Sequence, residues 1–338
     1  MNLSMNAQSP RTIIVALLVF FLVWATAVAS IALVVTKNTK DLSFARAKLL
    51  TILEQPQNDA PLHVPEALLE VALDPASLYQ LDNSVILERF SLLKERYPSH
   101  EQLADIIIPA DTWILARLFT NSDDLVINYD ISQNNAFGNF YREVIGLIAT
   151  AQSQAHGIEI LLDHFYNTFY GSIKPKTLRY ALPIPKGKYS LPSRRSIAYS
   201  HPDAIDIFFT QVKNRGKHEI GPDIFSVSPG IVLVARNNWE GGDTPQSYSS
   251  GGISPRAGNG VIIYNPHEKR YYSYFHLHDV TVKKGQFIKA GQKIGRGGNT
   301  GINAKKEGHG EHLHFEIYDS IKGQWSINEL YEFIKSLQ

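Results

Sequence analysis

The hydrophobic pattern of this chain changes character at Lys174-Pro175, and that change limits the fold more than any other feature. Before it, apolar residues recur at helical spacing: Ile86-Leu87, Phe90 and Leu92-Leu93, then Ile158, Leu161-Leu162, Phe165 and Phe169. That is the period of one buried helix face. After it come short apolar runs at 231–234, 260–264, 271–277 and 313–318, with Gly241-Gly242, Gly251-Gly252 and Gly297-Gly298 between them. Runs of this kind between glycine turns read as antiparallel strands. The expected fold is α+β and multidomain, with a mainly helical domain over 64–173 and an antiparallel β-sandwich or open barrel over 174–338. Near the end, Ser326 with Glu329 forms a capping box that predicts a short helix over 330–337.

Residues 13–35 contain no charged side chain. As a helix this run extends about 35 Å, enough for a hydrocarbon core of about 30 Å. Ala27-Val28-Ala29 has the small-x-small form of a signal cleavage site, but cleavage there would leave the apolar Ile31-Ala32-Leu33-Val34-Val35 at the new terminus. The run is therefore read as a retained transmembrane anchor, residues 1–36, followed by a helical stalk and linker, residues 37–63. Lys37, Lys40, Arg46 and Lys48 after the run oppose a simple positive-inside orientation with the C-terminus exported.

A net charge of +1 offers no electrostatic basis for binding nucleic acid. Absence of cysteine excludes disulfides and thiolate metal sites, so any zinc here is held by His and Asp or Glu. Eight of the twelve histidines fall after Ala198. In His312-Leu313-His314-Phe315-Glu316-Ile317 the side-chain period of a strand sets His312, His314 and Glu316 on one face and the apolar residues on the other. Three segments offer ligands: His201 with Asp203 and Asp206; His276-Leu277-His278; and His309 with His312 and His314. Catalytic zinc takes three protein ligands and keeps one open position. Spacing alone ranks neither the two His-x-His pairs nor the two aspartates.

From about Leu182 onward the chain resembles the M23 (lysostaphin/LytM-type) zinc metallopeptidases, which cut peptide crosslinks in bacterial cell walls. The resemblance lies in Leu182-Pro183-Ile184-Pro185, His201 through Asp206-Ile207, Tyr274-Phe275-His276-Leu277, the run 282–295, Gly298-Asn299-Thr300-Gly301 and His312-Leu313-His314-Phe315-Glu316, in the family's order. It implies zinc ligands His201, Asp206 and His314, one Zn2+ per chain, with His276 and His312 beside the metal as proton-handling residues. Two departures stand out. Four residues separate His201 from Asp206 where three are usual, which keeps Asp203 as a competitor. The glycine turn also leads into a charged stretch, 305–311, where a short loop is common. Arg194, Arg195 and Tyr199 are candidates for stabilising an oxyanion, without a placement. His218, His267 and His309 read as surface or hydrogen-bonded residues, and His278 as either solvent-facing or set behind the metal ligands, not as a ligand itself.

Two fragments of the middle region resemble the lysozyme-like peptidoglycan glycosyltransferases: Asp111-Thr112-Trp113-Ile114 through Phe119, and Glu159-Ile160-Leu161-Leu162 through Gly171. Leu73 stands where that family's catalytic Glu would be, so the resemblance implies a degenerate, glycan-binding or regulatory segment; the residues themselves support only a helical domain of unknown role over 64–173. The expected protein is a zinc metalloendopeptidase of peptidoglycan. It would be anchored in a bacterial inner membrane with its catalytic domain in the periplasm or outside the cell, and a cell-wall or division-machinery protein is a further partner. The alternative is an inactive peptidase-like module that activates or recruits a cell-wall hydrolase.

Overall fold

Side-chain caps start two of the described helices before Lys174. The computed structural model describes residues 79, 81–119, 129–171, 180–197, 201–213, 220–307, 309 and 311–338. Its helical region comprises α1 (Asn83–Arg96), α2 (His100–Ile107), α3 (Asp111–Leu118) and α4 (Ala136–Tyr170). Ser99 caps α2, its side chain accepting from the Gln102 N–H at 3.2 Å, and Asn135 caps α4, accepting from the Gly138 N–H at 2.9 Å. Buried α4 residues Tyr141, Val144, Ile148, Ala151, Ala155, Ile158, Leu162 and Phe165 recur at three- and four-residue intervals, as the apolar pattern predicts. The anchor and stalk expected over 1–63, and Leu73, lie outside the described residues. Among the described residues no helix is long and apolar enough to cross a membrane.

Beyond the helices the chain forms β1 (Tyr189–Ser190), α5 (Arg194–Ile197), β2 (Ile205–Phe209), β3 (Asp223–Phe225), β4 (Gly230–Arg236), β5 (Gly260–Asn265), β6 (Arg270–Phe275), β7 (Leu277–Val280), β8 (Phe287–Ile288) and β9 (Lys293–Gly297). It ends with α6 (Ile302–Lys305), β10 (His312–Asp319), β11 (Gly323–Gln324) and α7 (Ile327–Ser336). One antiparallel sheet runs β1-β2-β10-β6-β5-β4-β8, with β11 beside β10, and a smaller antiparallel sheet runs β3-β9-β7. The large sheet does not close into a barrel; β1 and β8 are its edges. Both halves of the capping box are made, and Ser326 as cap starts α7 at Ile327, three residues before the predicted helix.

Central strands bury both faces. On one face Val261, Ile263, Tyr272, Phe315 and Ile317 pack with Ile224 and Ile294 of the small sheet and with Leu330 and Ile334 of α7. On the other face Ile262, Tyr264, Tyr271 and Tyr318 share a core with residues of α3 and α4. Polar contacts cross this helix–sheet junction. Arg117 pairs with Glu159 at 3.3 Å, and Glu159 also accepts from the Tyr271 hydroxyl at 3.1 Å and the Ser320 hydroxyl at 2.7 Å. Glu159, part of the glycosyltransferase-like fragment, thus serves as a buried acceptor holding helix to sheet.

Candidate metal centre

Strand β10 lies between β2 and β6, and its register decides what surrounds its histidines. His314 stands directly opposite Asp206 on β2 and Phe275 on β6. The Asp206 carboxylate reaches His314 Nδ1 at 3.0 Å and approaches His312 Nε2 at 3.6 Å. The Phe275 ring stacks on His314 with centroids 5.8 Å apart. His201 comes from the segment ahead of β2, and its ring meets that of His314 edge-on at 5.4 Å.

His276 enters from the other side. The sequence pattern predicts one strand over 271–277; the observed chain breaks between β6 and β7 because His276 has φ 64°, a left-handed conformation that side chains other than glycine rarely adopt. Two neighbours hold it there: its N–H donates to the Ala257 carbonyl at 3.0 Å, and its Nδ1 lies 2.8 Å from the Thr300 carbonyl. A carbonyl only accepts, so Nδ1 carries the hydrogen and Nε2 keeps its lone pair. The rings of His276 and His312 are 4.9 Å apart. The Gly-Asn-Thr-Gly turn thereby acquires a purpose: Thr300 also donates its hydroxyl to the Leu277 carbonyl at 2.8 Å, and Gly301 (φ 95°) passes so close to the Arg256 carbonyl that a Cβ would lie 2.2 Å from it.

Among the described residues, two sets of three side chains converge closely enough to hold one ion, His201 with Asp206 and His314, and His276 with His312 and His314, with the ligand atoms of each set within 4.8 Å of one another. An oxygen and two imidazole nitrogens in the first set suit zinc. The extra residue between His201 and Asp206 is taken up in an exposed turn at Pro202-Asp203, anchored where Ile327 N–H donates to the Pro202 carbonyl at 2.7 Å. Asp203 is in that turn and in neither set.

Burial and charge shape the acid–base behaviour of the group. Burial opposes the charged form of His314, but hydrogen bonds to Asp206 and Glu316 outweigh it and push the ring up to about 10. Burial likewise opposes the Asp206 carboxylate, yet the His314 hydrogen bond and the surrounding imidazoles hold it well below the usual carboxylate range. His276 goes the other way: burial, with His312 and His314 adding positive charge, keeps it far below its ordinary value and therefore neutral.

Of the other expected residues, Arg194 pairs with Glu332 of α7 at 2.8 Å, and Tyr199 and His218 lie outside the described residues. Arg195 is exposed on α5. His267 packs edge-on against Tyr166 of α4 at 5.1 Å, His309 is exposed, and His278 is half-buried on β7. Sequence reasoning assigned no role to Glu316, whose carboxylate lies 2.8 Å from His314 Nε2. Its signal was present in the strand alternation that sets it on the histidine face.

Residues 216–328 match the model of Peptidase family M23. Over 99 residues the chain is 35% identical to "Peptidoglycan DD-endopeptidase ShyA" of Vibrio cholerae, covering 29% of this chain and 18% of that one. Over another 99-residue match it is 36% identical to "Peptidoglycan DD-endopeptidase ShyB" of the same organism, again covering 29% and 18%. The chain thus spans less than a fifth of these relatives' length. The crystal structure of a zinc-containing peptidase from Vibrio cholerae is similar at 26% identity and a TM-score of 0.28, covering 43% of this chain and 40% of that one.

Proposed function

We propose that this chain, which carries a Peptidase family M23 domain at residues 216–328, is a membrane-anchored zinc endopeptidase that hydrolyses peptide crosslinks of peptidoglycan. The carrying observation is the approach of His201, Asp206 and His314 to within 4.8 Å of one another beside the paired imidazoles of His276 and His312. Zinc bound by the first three would polarise the scissile carbonyl and acidify the attacking water. His276 is suited to accept a proton: its Nδ1 is committed to Thr300, it is neutral, and Nε2 keeps its lone pair. His312, whose ring lies 4.9 Å from that of His276, would return a proton to the leaving amine. The uncharged run 13–35 supports the anchor, and export of the catalytic domain follows from the location of the substrate.

The full-length protein, purified in detergent, is to be analysed for zinc and incubated with purified peptidoglycan, with released peptides separated by chromatography. Zinc near one equivalent and peptide release are expected. His314→Ala should lose both; His312→Ala should keep zinc and lose turnover. A zinc-loaded wild type that releases nothing would replace this reading with that of an inactive module acting on a partner hydrolase. Cleavage by the His312 variant would overturn the roles given to the two unliganded histidines.

A further inference from the structure

His314 belongs to both sets of converging ligands, so something must decide which set binds the ion. An imidazole nitrogen that carries a hydrogen cannot donate its lone pair to a metal, and the partner of one ring nitrogen settles the state of the other. His314 Nδ1 faces Asp206 at 3.0 Å, while Nε2 faces Glu316 at 2.8 Å. All three side chains are largely enclosed, with exposures of 13% for His314, 19% for Asp206 and 25% for Glu316, so water competes little for either contact.

We infer that Glu316 is a positioning residue: by accepting a hydrogen from His314 Nε2, it leaves the Nδ1 lone pair for a metal shared with Asp206 and His201. The ion then sits on the Asp206 side of the ring, and His276 and His312 remain unliganded. Strand geometry fixes this choice. Glu316 follows His314 by two residues on β10 and is paired across the sheet with Ser273, so its carboxylate projects from the same face as the ring it holds. A carboxylate behind a metal-bound imidazole orients the ring and raises its basicity. The inference rests on the metal-centre reading above and adds to it the residue that selects between the two sets.

The test uses the full chain with zinc alone as probe. Zinc affinity is measured by competition with a chromophoric chelator, and the His314 tautomer by nitrogen NMR of the zinc-loaded wild type. Glu316→Ala should weaken zinc binding about 10- to 100-fold, while Glu316→Gln, whose amide oxygen still accepts, should stay within a few-fold of wild type. The NMR should show hydrogen on Nε2. Unchanged affinity in Glu316→Ala, or hydrogen on Nδ1 in the loaded wild type, would overturn the inference. Should the alanine variant not fold, the wild-type tautomer alone decides. Zinc bound with the expected tautomer but without peptide release would support the inference while sinking the peptidase reading. A wild type with no zinc affinity would sink both.

Discussion

Arg117 and Tyr318 meet across the helix–sheet junction, the guanidinium donating from Nη1 to the tyrosine hydroxyl at 2.5 Å. Tyr318 follows Glu316 by two residues and His314 by four on β10. Strand alternation therefore puts the helices on the same sheet face as the metal ligand. Phe275, which stacks on His314, belongs to the core shared with α3 and α4. The helical region is thus part of the surroundings of the site.

The Arg117–Glu159 pair at this junction is only 9% and 7% exposed. Removing one partner leaves a buried, uncompensated charge, so Arg117→Met should cost about 3–5 kcal/mol in chemical denaturation. Adding Glu159→Leu should recover much of that loss. A single variant as stable as wild type would show that the pair does not hold the junction.

His276 has a backbone conformation that the strand pattern does not predict. Its left-handed backbone favours small polar replacements over β-branched ones, so His276→Asn should unfold close to wild type in urea. His276→Val should lose about 1–3 kcal/mol. Equal losses in the two variants would mean that the side chain, not the backbone, sets the stability of this turn.

Asp163 on α4 accepts from the Tyr264 hydroxyl at 3.2 Å. Burial pushes its carboxyl up to about 6, against the opposing charge of Lys269 and the Tyr264 hydrogen bond. The folded state therefore holds the proton more tightly than the unfolded one. This contribution is complete below about pH 4 and is lost as pH rises through 6. Asp163→Asn should remove the loss, gaining about 1–3 kcal/mol over wild type at pH 8 relative to pH 3.5. Denaturation midpoints across that range check it; a difference independent of pH would contradict it.

Zinc binding should release protons. His314 keeps its charge up to about 10 in the metal-free protein, so at pH 7 the ion must displace a proton to use this ring. Calorimetric titration in two buffers of different ionisation enthalpy should report release of about one proton. Affinity should also rise with pH across the neutral range.

The sequence alone carries the local features. Strand alternation sets His312, His314 and Glu316 on one face, and the absence of cysteine limits metal donors to nitrogen and oxygen. The Ser326–Glu329 box and the apolar stripe of α4 are equally readable, because each depends only on residues a few positions apart. Pairing between distant segments is not encoded in any short window. The register of β10 against β2 puts Asp206 opposite His314 and leaves Asp203 in an exposed turn. The Ala257 and Thr300 carbonyls hold His276 out of strand geometry. Such contacts form only when the sheet assembles, so tertiary structure decided which imidazoles meet, which ring nitrogen His276 leaves open, and that the helices pack on the face of the sheet that carries them.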